Sequence, residues 1–376
     1  VANITATTVT STNIVNATQL SHRNLIINGD MRIAQRGTSF TTNDSFSVDR
    51  FQNQYSGVDA GPTFAQVDVA SGTSPYTNGF RKALKITNAD QSSGAGSSDL
   101  IAIVYKFETQ DISYSGWNYV SSSSFITLSY WVKSSVSQNF YGRFQTFDGT
   151  GQNYPFETGT LTANTWTKIT KTIPGNSNLQ FDTSGATDLG LSLELSMFRG
   201  TDKTGTIALD AWNPYGSGTT RTPDQTSTWY TTNDATFEIT GVQLELGSAA
   251  TPFEHRSFGD ELERCKRYYQ QINGDTDDYT GFSAYSESAT AVRIPVQLHP
   301  AMRAAFTHSK SGVFRFQGAT NDSADSAVSF ALEGVNTTFN ACTIRSTSYS
   351  SMGAADRPGN LQFRQDGSKL KFDAEL

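Results

Sequence analysis

The chain has little of what most function classes require. Of its 376 residues only two are cysteines, Cys265 and Cys342, so no disulfide framework is available. Charged residues make up 17 %, against about 25 % in ordinary domains. Lys and Arg number 28 against 35 Asp and Glu, and this acidic balance excludes the basic stripe of a dedicated nucleic-acid binder. No apolar run approaches the ~18–20 residues that cross a bilayer, so no membrane insertion is expected. No basic segment followed by an apolar one marks Val1–Arg23 as a secretory signal. Phosphate-loop, dinucleotide, zinc-protease and serine-hydrolase signatures are all missing. The four histidines, His22, His255, His299 and His308, are scattered. No catalytic residue and no cofactor is therefore expected. Asp and Glu are numerous enough to supply a glycosidase pair, but nothing in their spacing selects one.

Aromatics are plentiful: 24 Phe, 15 Tyr and 5 Trp, set among Ser, Thr, Asn and Gly. That mixture suits many short strands joined by polar turns, and it excludes a helical bundle. Strand-like runs recur at Asn24–Asn28, Ala83–Thr87, Leu100–Glu108, Phe125–Lys133, Phe140–Phe147, Trp166–Ile173, Leu189–Phe198 and Phe237–Leu246. They predict one large β-sandwich over 24–256, with Trp131 and Trp166 in its core. Residues 257–272 read as a helix, with Ser257 and Asp260 as a capping box and Leu262, Cys265 and Tyr269 on one face. Both cysteines read as buried packing thiols. A helix and loop over 257–278 would link the sandwich to a smaller β-sandwich over 279–376, its core drawn from Phe306, Phe314, Phe316, Phe330, Phe363 and Phe372. The acidic loop Asn273, Asp275, Asp277 and Asp278 lacks the glycine and distal glutamate of an EF-hand, and reads as solvated loop rather than calcium site.

Residues 1–23 are rich in Thr, Asn and β-branched side chains. An isolated strand would leave Ile4, Val9, Ile14, Val15 and Leu20 wet and its backbone unpaired. The segment reads as an extended arm for attachment or trimerisation, with a floppy terminus as the alternative. With no heptad repeat, a homotrimer would be held by strand pairing or by adjacent sandwiches. For a ligand site, the aromatics in LDAWNPYGSG and TSTWYTTND stand out. Trp212, Tyr215, Trp229 and Tyr230, with Arg221 nearby, are the expected carbohydrate-binding residues. The alternative is that these rings pin a long loop onto the sandwich.

Two motifs add a family resemblance. Asn24–Gly37 reads NLIINGDMRIAQRG, followed by Asp49-Arg50-Phe51, and Ile239–Gln270 reads ITGVQLELGSAATPFEHRSFGDELERCKRYYQ. Together they resemble a group of bacteriophage virion proteins of tail-fibre or carbohydrate-binding-like type. In that group N-L-x-x-N-G-x-M opens a jelly roll, G-V-Q-L-E-x-G with T-P-F-E closes it, and a helix carrying E-L-x-R-C-x-R-Y-Y follows. Val296–Ala305 and the ending Phe372–Leu376 fit as well, although Phe306 stands where many such proteins have proline. The opening also resembles galactose-binding-like modules, which often hold a calcium beside an acidic residue before the final strand. Thr240 and Gly241 occupy that place here, so no metal is expected.

The resemblance implies an all-β chain of jelly-roll sandwich, linking helix and C-terminal sandwich. It also implies a non-enzymatic virion protein, a tail fibre or receptor-binding protein that touches bacterial surface glycans. The arm would meet other virion proteins of tail or capsid. A capsid decoration or head fibre, and a tailspike-type enzyme that cuts polysaccharide, are the alternatives.

Overall fold

The computed structural model describes residues 22–181, 185, 187–216, 218–273, 281–318, 322–325, 328–336, 338–349, 357–363 and 367–376. Nearly all of the expected arm, and Asp275, Asp277 and Asp278, lie outside the described residues. The chain is almost entirely antiparallel β and divides into two compact units between Ser257 and Phe258.

The first unit holds two sheets. A six-stranded sheet runs in the order β1 (Ser39–Phe40), β4 (Thr63–Asp68), β5 (Lys82–Thr87), β13 (Thr236–Leu246), β7 (Phe125–Ser134) and β10 (Thr167–Pro174). A seven-stranded sheet runs β12 (Asn213–Pro214), β9 (Gln152–Thr160), β8 (Asn139–Thr146), β11 (Leu189–Arg199), β6 (Leu100–Glu108), β3 (Phe51–Ser56) and β2 (Ser45–Val48). Side chains alternate across each strand, as a pleated backbone demands. In β11, Leu191, Leu193, Leu195 and Met197 enter the core; in β7, Ile126, Leu128, Tyr130 and Val132 meet it from the other sheet. Trp131 and Trp166 are not in this main core. They pack half-buried with Val69 and Phe80 in a satellite cluster; Trp131 stands at an odd position of β7, which faces away from the sandwich interior.

The two signature motifs are clamped together. Asn24 is buried, and its Oδ1 accepts from the backbone N–H of Ile26 (3.0 Å) and of Leu244 (3.0 Å). Its Nδ2 donates to the Val242 carbonyl (3.1 Å). Asn28 Nδ2 donates to the carbonyls of Ile33 and Asp49, both at 2.9 Å. Gly29 approaches β13 so closely that a Cβ there would meet the Val242 oxygen at 2.0 Å. Gly241 sits at φ +64°, where β13 shifts register against β7, and a Cβ would strike the Phe80 ring at 2.6 Å. Only glycine fits either demand. Asn24–Asn28 is accordingly an irregular stretch bonded along β13, not the strand its β-branched content predicts.

The second unit opens with the Phe258–Lys266 helix, shorter than the expected 257–272. Tyr269–Asn273 leaves the helix to form β14, pairing with β23 (Lys369–Asp373), which also pairs with β17 (Thr307–Ser311). Seven further strands form one sheet in the order β19 (Asp322–Asp325), β18 (Phe314–Gly318), β22 (Arg357–Phe363), β15 (Gly281–Ser288), β16 (Ala291–Gln297), β21 (Ala341–Thr347) and β20 (Ser329–Val335). Five of the six expected phenylalanines are buried in its core, and Phe330 packs against it half-buried. Cys265 and Cys342 are both buried, and burial pushes the Cys342 thiol up to about 11.

Candidate functional site

The outer face of the seven-stranded sheet is polar, and cross-strand register lines its side chains into rows. One row runs Gln52, Val104, Glu194, Arg143 and Pro155; the next runs Lys106, Ser192, Gln145 and Asn153. These positions alternate with the core leucines and phenylalanines, so the pattern that buries one face fixes the polarity of the other. A depression of about 410 Å³ opens over the rows, lined by Gln52, Gln54, Lys106, Arg143, Phe147 and Glu194, among others. Phe147 follows β8 directly and shares the parity of Arg143 and Gln145, and the residue is 43 % exposed. Most large aromatics here are buried, so this ring face is an unusual offering of apolar surface beside hydrogen-bonding groups.

At the β9 edge of the depression lies a charged cluster. Arg143 Nε and Nη2 both donate to Glu194 Oε2 (3.1 and 2.8 Å), and Arg199 Nη2 donates to Glu194 Oε1. All three side chains are buried. Burial alone would raise the Glu194 pKa; the two guanidiniums outweigh it and hold the carboxyl well below the usual range. The loop after β11 packs along this edge. Asn153 Nδ2 donates to the Arg221 carbonyl (2.9 Å), and Gln225 Nε2 to Ser196 Oγ (3.1 Å). The guanidinium carbons of Arg143 and Arg221 each lie 5.7 Å from the Tyr215 ring centre.

Of the five expected site residues, the structure therefore brings Tyr215 and Arg221 together, at the rim of the sheet face. Trp212 is half-buried; its Nε1 donates to the Pro174 carbonyl (2.7 Å) and its ring packs on Tyr154. Trp229 and Tyr230 stand in the main core at 0 % and 1 % exposure, where no sugar could stack on them. Trp229 Nε1 donates to the Thr236 carbonyl (3.1 Å) and the Tyr230 hydroxyl to Asp99 Oδ2 (2.7 Å), so both rings pin their loop instead. Reading residue types missed Phe147, Arg143 and Lys106. Strand parity was the signal that could have found them, because Phe140 and Phe144 point inward and Phe147 sits at the opposite phase.

Among the described residues, no three His, Cys, Asp or Glu side chains converge as a metal site would require. No helix among them is long and apolar enough to cross a membrane.

No protein-family model matches the chain, and no curated protein matches it in sequence. Several solved structures align with it. A bacteriophage CBA120 tailspike enzymatic domain is 9 % identical at TM-score 0.30, over 60 % of this chain and 21 % of its own. A Bacteroides thetaiotaomicron protein described as sugar-binding is 11 % identical at TM-score 0.33, over 60 % of this chain and all of its own. A family 11 carbohydrate-binding module from Clostridium thermocellum, solved with a mixed-linked tetrasaccharide, is 11 % identical at TM-score 0.25, over 58 % and 98 %. This chain thus spans about a fifth of the tailspike's length. Similarity at this level leaves the function to be read from the chain's own residues.

Proposed function

We propose that this chain is a bacteriophage virion protein, a tail fibre or receptor-binding protein, that binds bacterial surface glycans on the outer face of the seven-stranded sheet. One observation carries the glycan reading: exposed Phe147 lines a depression together with Gln52, Gln54, Lys106 and Arg143. A sugar presents an apolar C–H face and a rim of hydroxyls, and binding sites answer with a ring face and a few placed polar groups. The virion assignment is supported by the paired motifs at Asn24–Gly37 and Ile239–Gln270, which the clamp around Asn24 shows to be structural. On this reading the protein holds polysaccharide without cutting it, and acts as a homotrimer on the particle.

The test is retention of host surface polysaccharide by the purified chain, alongside Phe147→Ala. The expected results are retention without new reducing ends, and about a tenfold loss in affinity for the variant, equivalent to ~1.4 kcal/mol. Melting should be almost unchanged, because the ring is partly exposed already. New reducing ends would instead establish a tailspike-type enzyme. Labelling particles then separates tail from head, and light scattering on the full chain checks the trimer.

A further inference from the structure

The charged cluster beside Phe147 does not balance. Arg143, Arg199 and Arg221 lie within electrostatic reach of one another there, and Glu194 pairs with the first two among the described residues. Arg143 and Arg199 share its two oxygens. Arg221 is half-buried, with no side-chain hydrogen bond or ion pair among the described residues, and its Nε is sealed from water without an acceptor. Its guanidinium carbon lies 5.7 Å from the Tyr215 ring centre, and that of Arg143 lies equally far from the same ring. Burial, then the neighbouring Arg143 and Arg199 charges, lower the Arg221 pKa, and Tyr215 and Glu194 offset only part of this. A surface used only for packing gains nothing from that arrangement; a guanidinium fork matches the two oxygens of an oxyanion.

We propose, resting on the glycan reading above, that Arg221 and Tyr215, backed by the charge of the buried Arg143, form a subsite for an oxyanion carried by the bound glycan, a sugar carboxylate or a sugar phosphate. The neutral part of the sugar lies toward Phe147, and the anion faces the Arg221 guanidinium at the β9 edge. A bound oxyanion supplies the negative charge that Glu194 alone does not, and the Tyr215 ring lines the approach.

The test is titration of the full-length protein with sodium galacturonate, galactose and inorganic phosphate, on wild type, Arg221→Gln and Arg221→Lys. Galacturonate should bind at least about tenfold more tightly than galactose in wild type, as expected of a charged hydrogen-bond pair. Arg221→Gln should bring that ratio close to one, and Arg221→Lys should keep part of it, because it keeps charge and loses the fork. Phosphate competing with galacturonate would show that either oxyanion serves; no competition would restrict the subsite to carboxylates. Equal affinity for galacturonate and galactose in wild type, or a ratio unchanged in Arg221→Gln, would overturn the inference. Retention of host polysaccharide separates the two levels. If wild type and Arg221→Gln retain it equally, the anion subsite falls and the glycan reading stands. If wild type shows the galacturonate preference but retains no polysaccharide, the subsite stands and the glycan reading falls.

Discussion

Replacing Glu194 with Gln should destabilise the first unit by ~3–5 kcal/mol, because it leaves the buried Arg143 and Arg199 without their counter-charge. For a unit of this size that is a fall of roughly 6–20 °C in melting temperature. The pH dependence has a definite sign. The folded-state pKa of Glu194 is depressed, so its contribution is complete above the ordinary carboxylate value of 4.5 and is lost as pH falls below it. Urea titrations at pH 7 and pH 3 should show a large acid loss in wild type and a smaller one in Glu194→Gln. The triple variant Arg143→Met/Glu194→Leu/Arg199→Met should recover part of the stability, since apolar side chains can replace a whole buried ion triad. A Glu194→Gln protein that melts with wild type would mean that the carboxylate is neither buried nor paired as described.

Asn24→Ala should cost at least about 3 kcal/mol. One side chain satisfies the Ile26 and Leu244 N–H groups and the Val242 carbonyl, and each orphaned buried group costs ~1–3 kcal/mol. The effect reaches well beyond the local turn, because Asn24 ties the opening motif to the last strand of the sandwich. Asn24→Asp keeps both accepted bonds and loses the donated one, so it should retain more stability than Ala. Chemical denaturation measures both variants, and amide exchange at Leu244 reports the clamp directly. A loss below about 1 kcal/mol for Asn24→Ala would show that water or backbone adjustment replaces the side chain.

What could be read in advance followed the physics of each feature. Leu189–Arg199 declares itself by alternating apolar and polar or small side chains, and Leu100–Glu108 by a short continuous apolar run. Phe51–Ser56 and Gln152–Thr160 did not, because Gln, Asn and Gly interrupt their apolar pattern. The helix ran too long on paper because Tyr269 also satisfies a helical spacing; pairing with Asp373 across β14 and β23 decided otherwise. Tyr215 and Arg221 were visible as an aromatic and a cation in a turn-rich stretch. Trp229 and Tyr230 looked alike in sequence, but Gln138, Asp99 and Thr236 supply their polar partners inside the sandwich. The Arg143–Glu194–Arg199 cluster joins strands whose pairing no local pattern announces, since register emerges only when the sheet closes.

The most direct test of the glycan site is a crystal structure of the chain with an oligosaccharide released from the host's surface polysaccharide. The sugar should lie on the outer face of the seven-stranded sheet, with a ring against Phe147 and its polar edge within hydrogen-bond distance of Gln52, Gln54 or Arg143. A sugar bound elsewhere on the first unit, or on the unit formed by Phe258–Glu375, with this face bare, would contradict the account.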